Sequence, residues 1–139
     1  MAGSKSNHLE NLVLDLFYGV VPAGFSRPSR YNTLTLHLYT SSPGEATGGT
    51  EVTGGSYAAL SITNDGTNFP AASNGVKTNG AAFTFTTFTG SVGTIVGWAI
   101  KDSDGNRLHW GDLDPADQKA YVANDQFTIL VGQLSITED

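Results

Sequence analysis

Between Gly48 and Phe88 the chain alternates short runs rich in Thr, Ala and Phe with Asn-Gly, Asp-Gly and Gly-Gly pairs. Glycine in such pairs supplies the positive φ angles that tight reversals of the chain require. Phe83 and Phe85 fall on one side of a strand, and Thr84 and Thr86 fall on the other. The segment therefore predicts short antiparallel strands with one buried face, and it offers no grouping of residues for catalysis.

The length and composition exclude several classes of protein. The chain has 139 residues, the size of one domain, and no cysteine, so a disulfide framework and a thiolate metal site are both excluded. Its formal charge of -6 argues against a duplex-binding surface, because affinity for nucleic acid comes mainly from clustered Lys and Arg. No run approaches the ~18 apolar residues that span a bilayer. We expect a single domain over residues 1–139, made in the reducing cytoplasm of a host cell, with no nucleic-acid or membrane partner.

A helix is predicted near the start of the chain. Five apolar side chains repeat there at helical spacing: Leu9, Leu12, Val13, Leu16 and Phe17. They lie on one stripe of an amphipathic helix that runs from Asn7 to Tyr18. Asn7 is a suitable N-cap with Glu10 three residues later, as in a capping box, and Gly19 is a suitable stop. The stripe must be buried, either on the chain's own sheet or on another subunit.

The segment from Val20 to Arg30, VVPAGFSRPSR, predicts an extended strap between helix and sheet, in which Phe25 needs a pocket. Residues 1–30 carry three basic and two acidic side chains (+3 - 2 = +1), whereas the remainder carries four basic and eleven acidic ones (+4 - 11 = -7). A basic leading segment can dock on the acidic body of a neighbouring copy or on another acidic protein surface. Scattered, solvated charges are the alternative.

Strand patterns fill residues 31–139. In YNTLTLHLYT the leucines at 34, 36 and 38 point inward, while Thr35, His37 and Tyr39 point outward. Further strands are predicted in YAALSIT, AAFTFTTF, TIVGWAIKD, RLHWGDL and QFTILVGQLSIT, with a hairpin turn at SDGN and a helical turn at Asp114-Pro115. The pattern predicts a mainly β fold, a small antiparallel β-sandwich or jelly-roll-like domain with one N-terminal amphipathic helix.

The polar residues form no recognisable catalytic or metal motif. The three histidines lack a spacing that brings two imidazoles to one metal. Asp102, Asp104 and Asn106 resemble the start of a calcium loop, but no glutamate completes an EF-hand, so a hairpin turn explains them better. A weak calcium site there or at the aspartates of residues 112–117 stays open. There is no GxSxG elbow and no cysteine nucleophile. We expect no catalytic residue, no cofactor and no metal.

Four aromatic residues allow two interpretations: Tyr57, Trp98, Trp110 and Tyr121. They could form a platform that stacks on sugar rings, as in a lectin-like module. They could instead fill the core, which the large area of tryptophan favours because it contributes most when buried.

Several runs together resemble a known family. They are LENLVLDL in the helix and GGSYAAL, TNDGTNFPAAS and KTNGAAFTF in the strand-rich part, accompanied by LTLHLYTSSP, RLHWGDL and LSIT. Over nearly the whole chain the sequence resembles small virion proteins of tailed bacteriophages, which are often labelled tail fibre proteins. Related small β-sandwich proteins of phage heads act as cement or decoration proteins. The resemblance implies a structural role and carries no catalytic residues.

A compact acidic domain without coiled-coil heptads or fibrous repeats favours a capsid cement protein. We expect it on the outer capsid surface of the virion, bound to the major capsid protein as a homotrimer. The alternatives are a tail or tail-fibre-associated structural protein and a carbohydrate-binding module. The residues expected to bridge to neighbouring subunits lie in the helix and the strap: Leu12, Leu16, Phe17, Tyr18, Phe25, Arg27 and Arg30.

Overall fold

The computed structural model describes residues 1–138 and shows a chain made mainly of short strands. One α-helix, α1 (Asn7–Phe17), comes first, and within the described residues no helix is long and apolar enough to cross a membrane. The strands are β1 (Thr33–Tyr39), β2 (Leu60–Thr63), β3 (Val76–Thr78), β4 (Phe83–Thr84), β5 (Gly93–Ile95), β6 (Gly97–Lys101), β7 (Arg107–Asp112), β8 (Lys119–Tyr121), β9 (Thr128–Ile129) and β10 (Ser135–Thr137). The predicted mainly β fold with antiparallel sheets and one N-terminal helix is confirmed. The sandwich or jelly-roll arrangement stays a prediction.

The largest sheet has four strands in the order β2-β1-β6-β7. β1 and β6 are antiparallel, with Leu36 opposite Ile100, and β6 pairs with β7 in the predicted hairpin. In its turn, Asp102 Oδ1 accepts the backbone N–H groups of Asp104 at 3.0 Å and of Asn106 at 2.9 Å. The other strands form two-stranded ladders, β10-β3, β4-β9 and β5-β8. The predicted helical turn is a 3-10 turn at Pro115–Asp117, and a second one lies at Ser29–Tyr31.

The chain forms two compact units, each built from segments that are far apart in the sequence. The first unit contains residues 1–33, residues 63–83 and the C-terminal residues from Ile129 onward. The second unit contains residues 34–62 and 84–128. The single domain expected over residues 1–139, with a helix and strap up to residue 30, stays a prediction.

One face of the four-stranded sheet forms part of the core of the second unit. The leucines at 34, 36 and 38 are fully buried, as predicted. Residues opposite each other in an antiparallel ladder share a face, so Ile100 and Trp98 join Leu36 and Leu38 on this side. Each buried side chain of this size contributes roughly 1.5–3 kcal/mol. The strict alternation in β1 therefore specifies the register of the sheet.

On the opposite face of this sheet one prediction is wrong. Tyr39 was expected to point outward, but it is buried. The cause is Arg107, whose guanidinium donates to the Tyr39 phenol at 3.2 Å and to the carbonyl oxygens of Pro43 at 2.7 Å, Gly44 at 2.8 Å and Gly48 at 3.1 Å. The planar group directs its N–H donors in fixed directions. One arginine therefore fixes the loop after β1 next to the Tyr39 ring.

The aromatic residues divide between core and surface. Trp98 and Tyr121 are buried, which confirms the core interpretation for these two and leaves them unable to stack on a sugar ring. Tyr57 is half-buried, and its ring is nearly parallel to the Phe85 ring, with the ring centroids 6.2 Å apart. Trp110 differs from the core prediction, because it lies on β7 at an edge of the sheet and exposes 39% of its surface.

The start of the helix differs from the prediction by one residue. Ser6, not Asn7, is the N-cap, and its Oγ accepts the backbone N–H of Leu9 at 3.4 Å. Glu10 is then the fourth helical residue, one position too late for a capping box. Serine and asparagine are about equally good caps, so their local preferences alone do not select between adjacent positions.

Gly97→Ala should destabilise the second unit. A Cβ at residue 97 would lie 2.7 Å from Pro43 Cδ and 3.0 Å from the carbonyl oxygen of Gly111, so the surrounding chain would have to move. Overpacking of this kind costs about 1–3 kcal/mol. Gly90→Ala is the matched control, since its Cβ would have no heavy atom closer than 3.8 Å and neither glycine has a positive φ. Urea denaturation measures both variants, and equal losses of stability would contradict the prediction.

Candidate assembly surface

The most buried side of α1 is not the predicted apolar stripe. Leu14, which lies outside the stripe, is the one buried residue of the helix. Asn11 lies three residues before Leu14 and four before Asp15, so it neighbours both on the helix surface. Asn11 Oδ1 accepts the N–H of Gly75 at 2.8 Å, and Asp15 Oδ1 accepts the N–H of Ala72 at 2.8 Å. The helix is thus held to the segment before β3 by hydrogen bonds from its polar side.

An ion pair between a buried lysine and a partly exposed aspartate joins this side of the helix to β3. The Lys77 side chain is fully buried, and its Nζ donates to Asp15 Oδ1 at 2.6 Å and to the carbonyl oxygen of Pro70 at 2.8 Å. Burial lowers the pKa of Lys77, and the Asp15 carboxylate opposes that shift. Neither β3 nor the burial of Lys77 was predicted from the sequence, because a lysine between two Asn-Gly pairs is typical of a solvated turn.

The apolar stripe is left partly open. Leu9 exposes 42% of its surface, and the other four stripe residues are half-buried. Phe17 contacts the Tyr31 ring edge to face, with the ring centroids 5.3 Å apart. Val20 and Phe25 in the strap are 72% and 51% exposed. We call these residues the N-terminal apolar surface: Leu9, Leu12, Val13, Leu16, Phe17, Val20 and Phe25. Leu9, Val20 and Phe25 are the most exposed of these residues, and a partner that covered them would remove their apolar area from water.

Arg27 stabilises the end of the helix within its own chain. Its Nη1 donates to the carbonyl oxygens of Leu16 at 3.3 Å and Gly19 at 3.0 Å, and its Nη2 donates to that of Asn64 at 3.2 Å. A cation at this end satisfies carbonyls that the last turn leaves without helical partners. Burial lowers the pKa of Arg27. The guanidinium predicted to bridge to a neighbouring subunit is therefore used within the first unit.

Asn64 completes the same helix end and was also missed from the sequence. It is buried, its Oδ1 accepts the N–H of Gly19 at 2.7 Å, and its Nδ2 donates to the carbonyls of Phe17 at 2.8 Å and Tyr31 at 2.7 Å. Gly19 ends the helix as predicted, with φ of +89°, and a Cβ there would lie 2.2 Å from the carbonyl oxygen of Phe69. No local pattern marks Asn64, because its partners lie up to 47 residues away.

Two other predicted interface residues have different surroundings. Tyr18 is fully buried, and its ring lies 5.3 Å from that of Phe69, so it belongs to the core of the first unit. Arg30 is exposed, and its guanidinium donates to the Tyr31 phenol at 3.0 Å and lies 4.9 Å from the centre of that ring. Among the predicted interface residues, Leu12, Leu16 and Phe17 are half-buried and Phe25 is exposed, whereas Tyr18 is buried and the half-buried Arg27 is bonded within its own unit.

Asp102, one of the carboxylates considered for a calcium site, serves local structure. Across residues 1–138 no group of three or more histidines or carboxylates could hold a metal ion. Asp102 is buried, and both of its oxygens accept hydrogen bonds from the Asn106 side chain, at 3.3 and 3.0 Å. This arrangement is the one expected of a hairpin turn.

Comparison with known proteins identifies a family. The model of the family described as Podophage GP4 fiber I protein gp80 matches residues 4–137. None of the curated proteins matches the chain. The description names a fibre protein and does not indicate a capsid cement role, so it supports the tail-fibre alternative better than the cement prediction.

Removing Asp15 alone should cost more than removing the whole ion pair. Asp15→Ala leaves the Lys77 ammonium buried without its partner, which costs about 3–5 kcal/mol. Adding Lys77→Met removes the buried charge, so the double variant should be the more stable of the two. Asn11→Ala, which removes one hydrogen bond from the same side of the helix, should cost about 1 kcal/mol. Free energies of unfolding in urea measure all three, and a double variant no more stable than D15A would contradict this account.

The protein should lose stability in alkali through Tyr18. Burial strongly raises the pKa of this phenol, and the nearby Glu138 carboxylate adds to the effect. The folded chain holds the proton more tightly, so the contribution is complete below the unfolded pKa of about 10 and is lost as pH rises above it. Unfolding free energies should therefore fall less steeply above about pH 10 in Tyr18→Phe than in the unmodified chain, by up to ~1.4 kcal/mol per pH unit. Identical slopes would show that Tyr18 does not carry the effect.

Proposed function

Because the chain belongs to the Podophage GP4 fiber I protein gp80 family, we propose that it is a structural subunit of a phage tail fibre that associates with further copies of itself through the N-terminal apolar surface. The observation that carries the proposal is the orientation of α1. The helix turns Asn11, Leu14 and Asp15 toward its own unit and leaves the apolar stripe partly open. A surface that is repeated on every copy suits a symmetric homo-oligomer.

Apolar contact supports self-association better than charge does. The basic groups of residues 1–30 have partners in their own chain: Lys5 pairs with Glu138 at 3.1 Å, Arg27 donates to backbone carbonyls, and Arg30 contacts Tyr31. Docking of a basic segment on an acidic neighbour would first have to break these contacts. Val20 and Phe25, in contrast, are more than half exposed and lose water contact when a partner covers them.

We propose that three copies associate, as expected from the sequence. Copies arranged around a threefold axis each turn the same surface toward that axis, and linked contacts join them. The major capsid protein is the competing partner, and it would require the chain to lie on the head of the particle.

Val20→Asp should shift the purified protein toward monomer in light scattering, because a carboxylate on the apolar surface must be desolvated at an interface. Val131→Asp is the matched control, since Val131 is an exposed valine of the same unit outside the N-terminal apolar surface. Both variants should keep the far-ultraviolet circular dichroism spectrum of the unmodified chain, which shows that they fold. An unmodified chain that is monomeric, or oligomers that persist in Val20→Asp, would contradict the proposal.

The position of the chain on the virion distinguishes the fibre role from the capsid cement role. Cryo-electron microscopy of virions carrying a labelled copy of the chain should place the label on the fibres. A label on the head shell would contradict the fibre role and restore the cement prediction.

A further inference from the structure

Three polar side chains of the second unit lie in series beside the four-stranded sheet. Thr35 Oγ1 lies 2.8 Å from His37 Nε2, and His37 Nδ1 lies 2.5 Å from Glu51 Oε1. Thr35 and His37 are two residues apart on β1, so their side chains share one face of the sheet. Glu51 reaches the imidazole from the loop after β1, where its backbone forms a bridge with Tyr39.

A fourth group fixes the carboxylate. The Tyr57 hydroxyl donates to Glu51 Oε1 at 3.0 Å and accepts the backbone N–H of Leu38 at 2.9 Å. With Glu51 ionised, the imidazole donates through Nδ1–H, which leaves Nε2 of the neutral ring to accept the Thr35 O–H. A hydroxyl paired with a base, and a base oriented by a carboxylate, is the arrangement that activates a hydroxyl for covalent catalysis.

We propose that Thr35, His37 and Glu51 form an acyl-transfer site that hydrolyses small carboxylic esters, with Thr35 as the nucleophile, His37 as the general base and Glu51 as the positioning residue. Thr35 is half-buried, and the side chains of His37 and Glu51 are 15% and 35% exposed, so all three side chains are partly open to solvent. Lys101 stands opposite Thr35 in the β1–β6 register and on the same face. In this proposal Lys101 is the nearest basic residue in the register, and a cation on this face would stabilise an oxyanion formed at Thr35.

The reaction needs only the ester and water. Thr35 Oγ1 attacks the ester carbonyl carbon while His37 Nε2 takes the hydroxyl proton, which gives a tetrahedral oxyanion. The bond to the leaving oxygen then breaks, and His37 returns the proton to that oxygen, which releases the alcohol. Water attacks the acyl-Thr35 ester and gives a proton to His37. Collapse of the second oxyanion releases the carboxylic acid and restores the Thr35 hydroxyl.

The first test is hydrolysis of p-nitrophenyl acetate by the full chain. Thr35→Val keeps the shape of the side chain but removes the hydroxyl, and His37→Gln removes the general base. Each variant should lower the rate of ester hydrolysis by about 10²-fold or more. Glu51→Gln should lower the rate by about 10-fold or more and should alter the pH profile, because it changes the orientation and charge stabilisation of the imidazole. A smaller loss for Glu51→Gln with an unchanged pH profile would remove Glu51 from the site.

Two control variants separate this site from unspecific reaction. Thr94→Val changes an exposed threonine on another strand, and His8→Gln removes an exposed imidazole from α1. Both should keep the rate of the unmodified chain. A rate that falls as much in His8→Gln as in His37→Gln would show that free imidazoles cause the hydrolysis and would overturn the proposal.

The second test needs no variant. Acid quenching during the reaction, followed by peptide mass mapping of the unmodified chain, should find one acetyl group on the peptide that contains Thr35. A fluorophosphonate probe, which captures activated hydroxyls, should label the same residue. Label confined to lysine or histidine side chains, or absent from the chain, would overturn the proposal and leave the three residues a purely structural network.

Discussion

The ion pair between Asp15 and the buried Lys77 determines which way the N-terminal helix faces. A fully buried ammonium needs a carboxylate next to it, because an unpaired charge in the interior costs several kcal/mol. The polar side of the helix provides this carboxylate. Asp15 accepts a hydrogen bond from Lys77, and Asn11 accepts one from the chain before β3. The apolar stripe is thereby directed elsewhere and stays partly open. The proposed self-association of this fibre protein depends on that orientation.

Short strands and long loops leave many backbone carbonyls without ladder partners, and arginines meet part of this need in both units. In the first unit Arg27 donates to the carbonyls at the end of α1, and in the second Arg107 donates to those of the loop after β1. Each guanidinium serves several acceptors at fixed angles, so it defines the path of an irregular segment. The strap predicted to be extended is consequently held against its own helix, and the loop covers a tyrosine that was expected to be exposed.

The two functional proposals depend on different parts of the molecule. Self-association concerns apolar side chains of the first unit, whereas ester hydrolysis concerns three polar residues of the second. The family supports a structural role in the fibre and names no reaction. A fibre subunit with an accessible acyl-transfer site would combine assembly with chemistry on the surfaces it meets, and either property can be present without the other.

Features that depend on neighbouring residues could be predicted from the sequence alone: the helix over most of its length, the inward leucines of β1, the hairpin around Asp102 and the Gly19 stop. The sequence also carried the resemblance to phage virion proteins. Contacts between distant segments, which exist only in the folded chain, establish which side of the helix is buried, that Lys77 and Asn64 are interior residues, that Tyr39 is covered and that His37 meets Glu51. These contacts join residues between 14 and 68 positions apart, and periodicity reports only on close neighbours. A polar residue is placed in the interior by a partner from a distant segment, so its own context in the sequence cannot reveal its position.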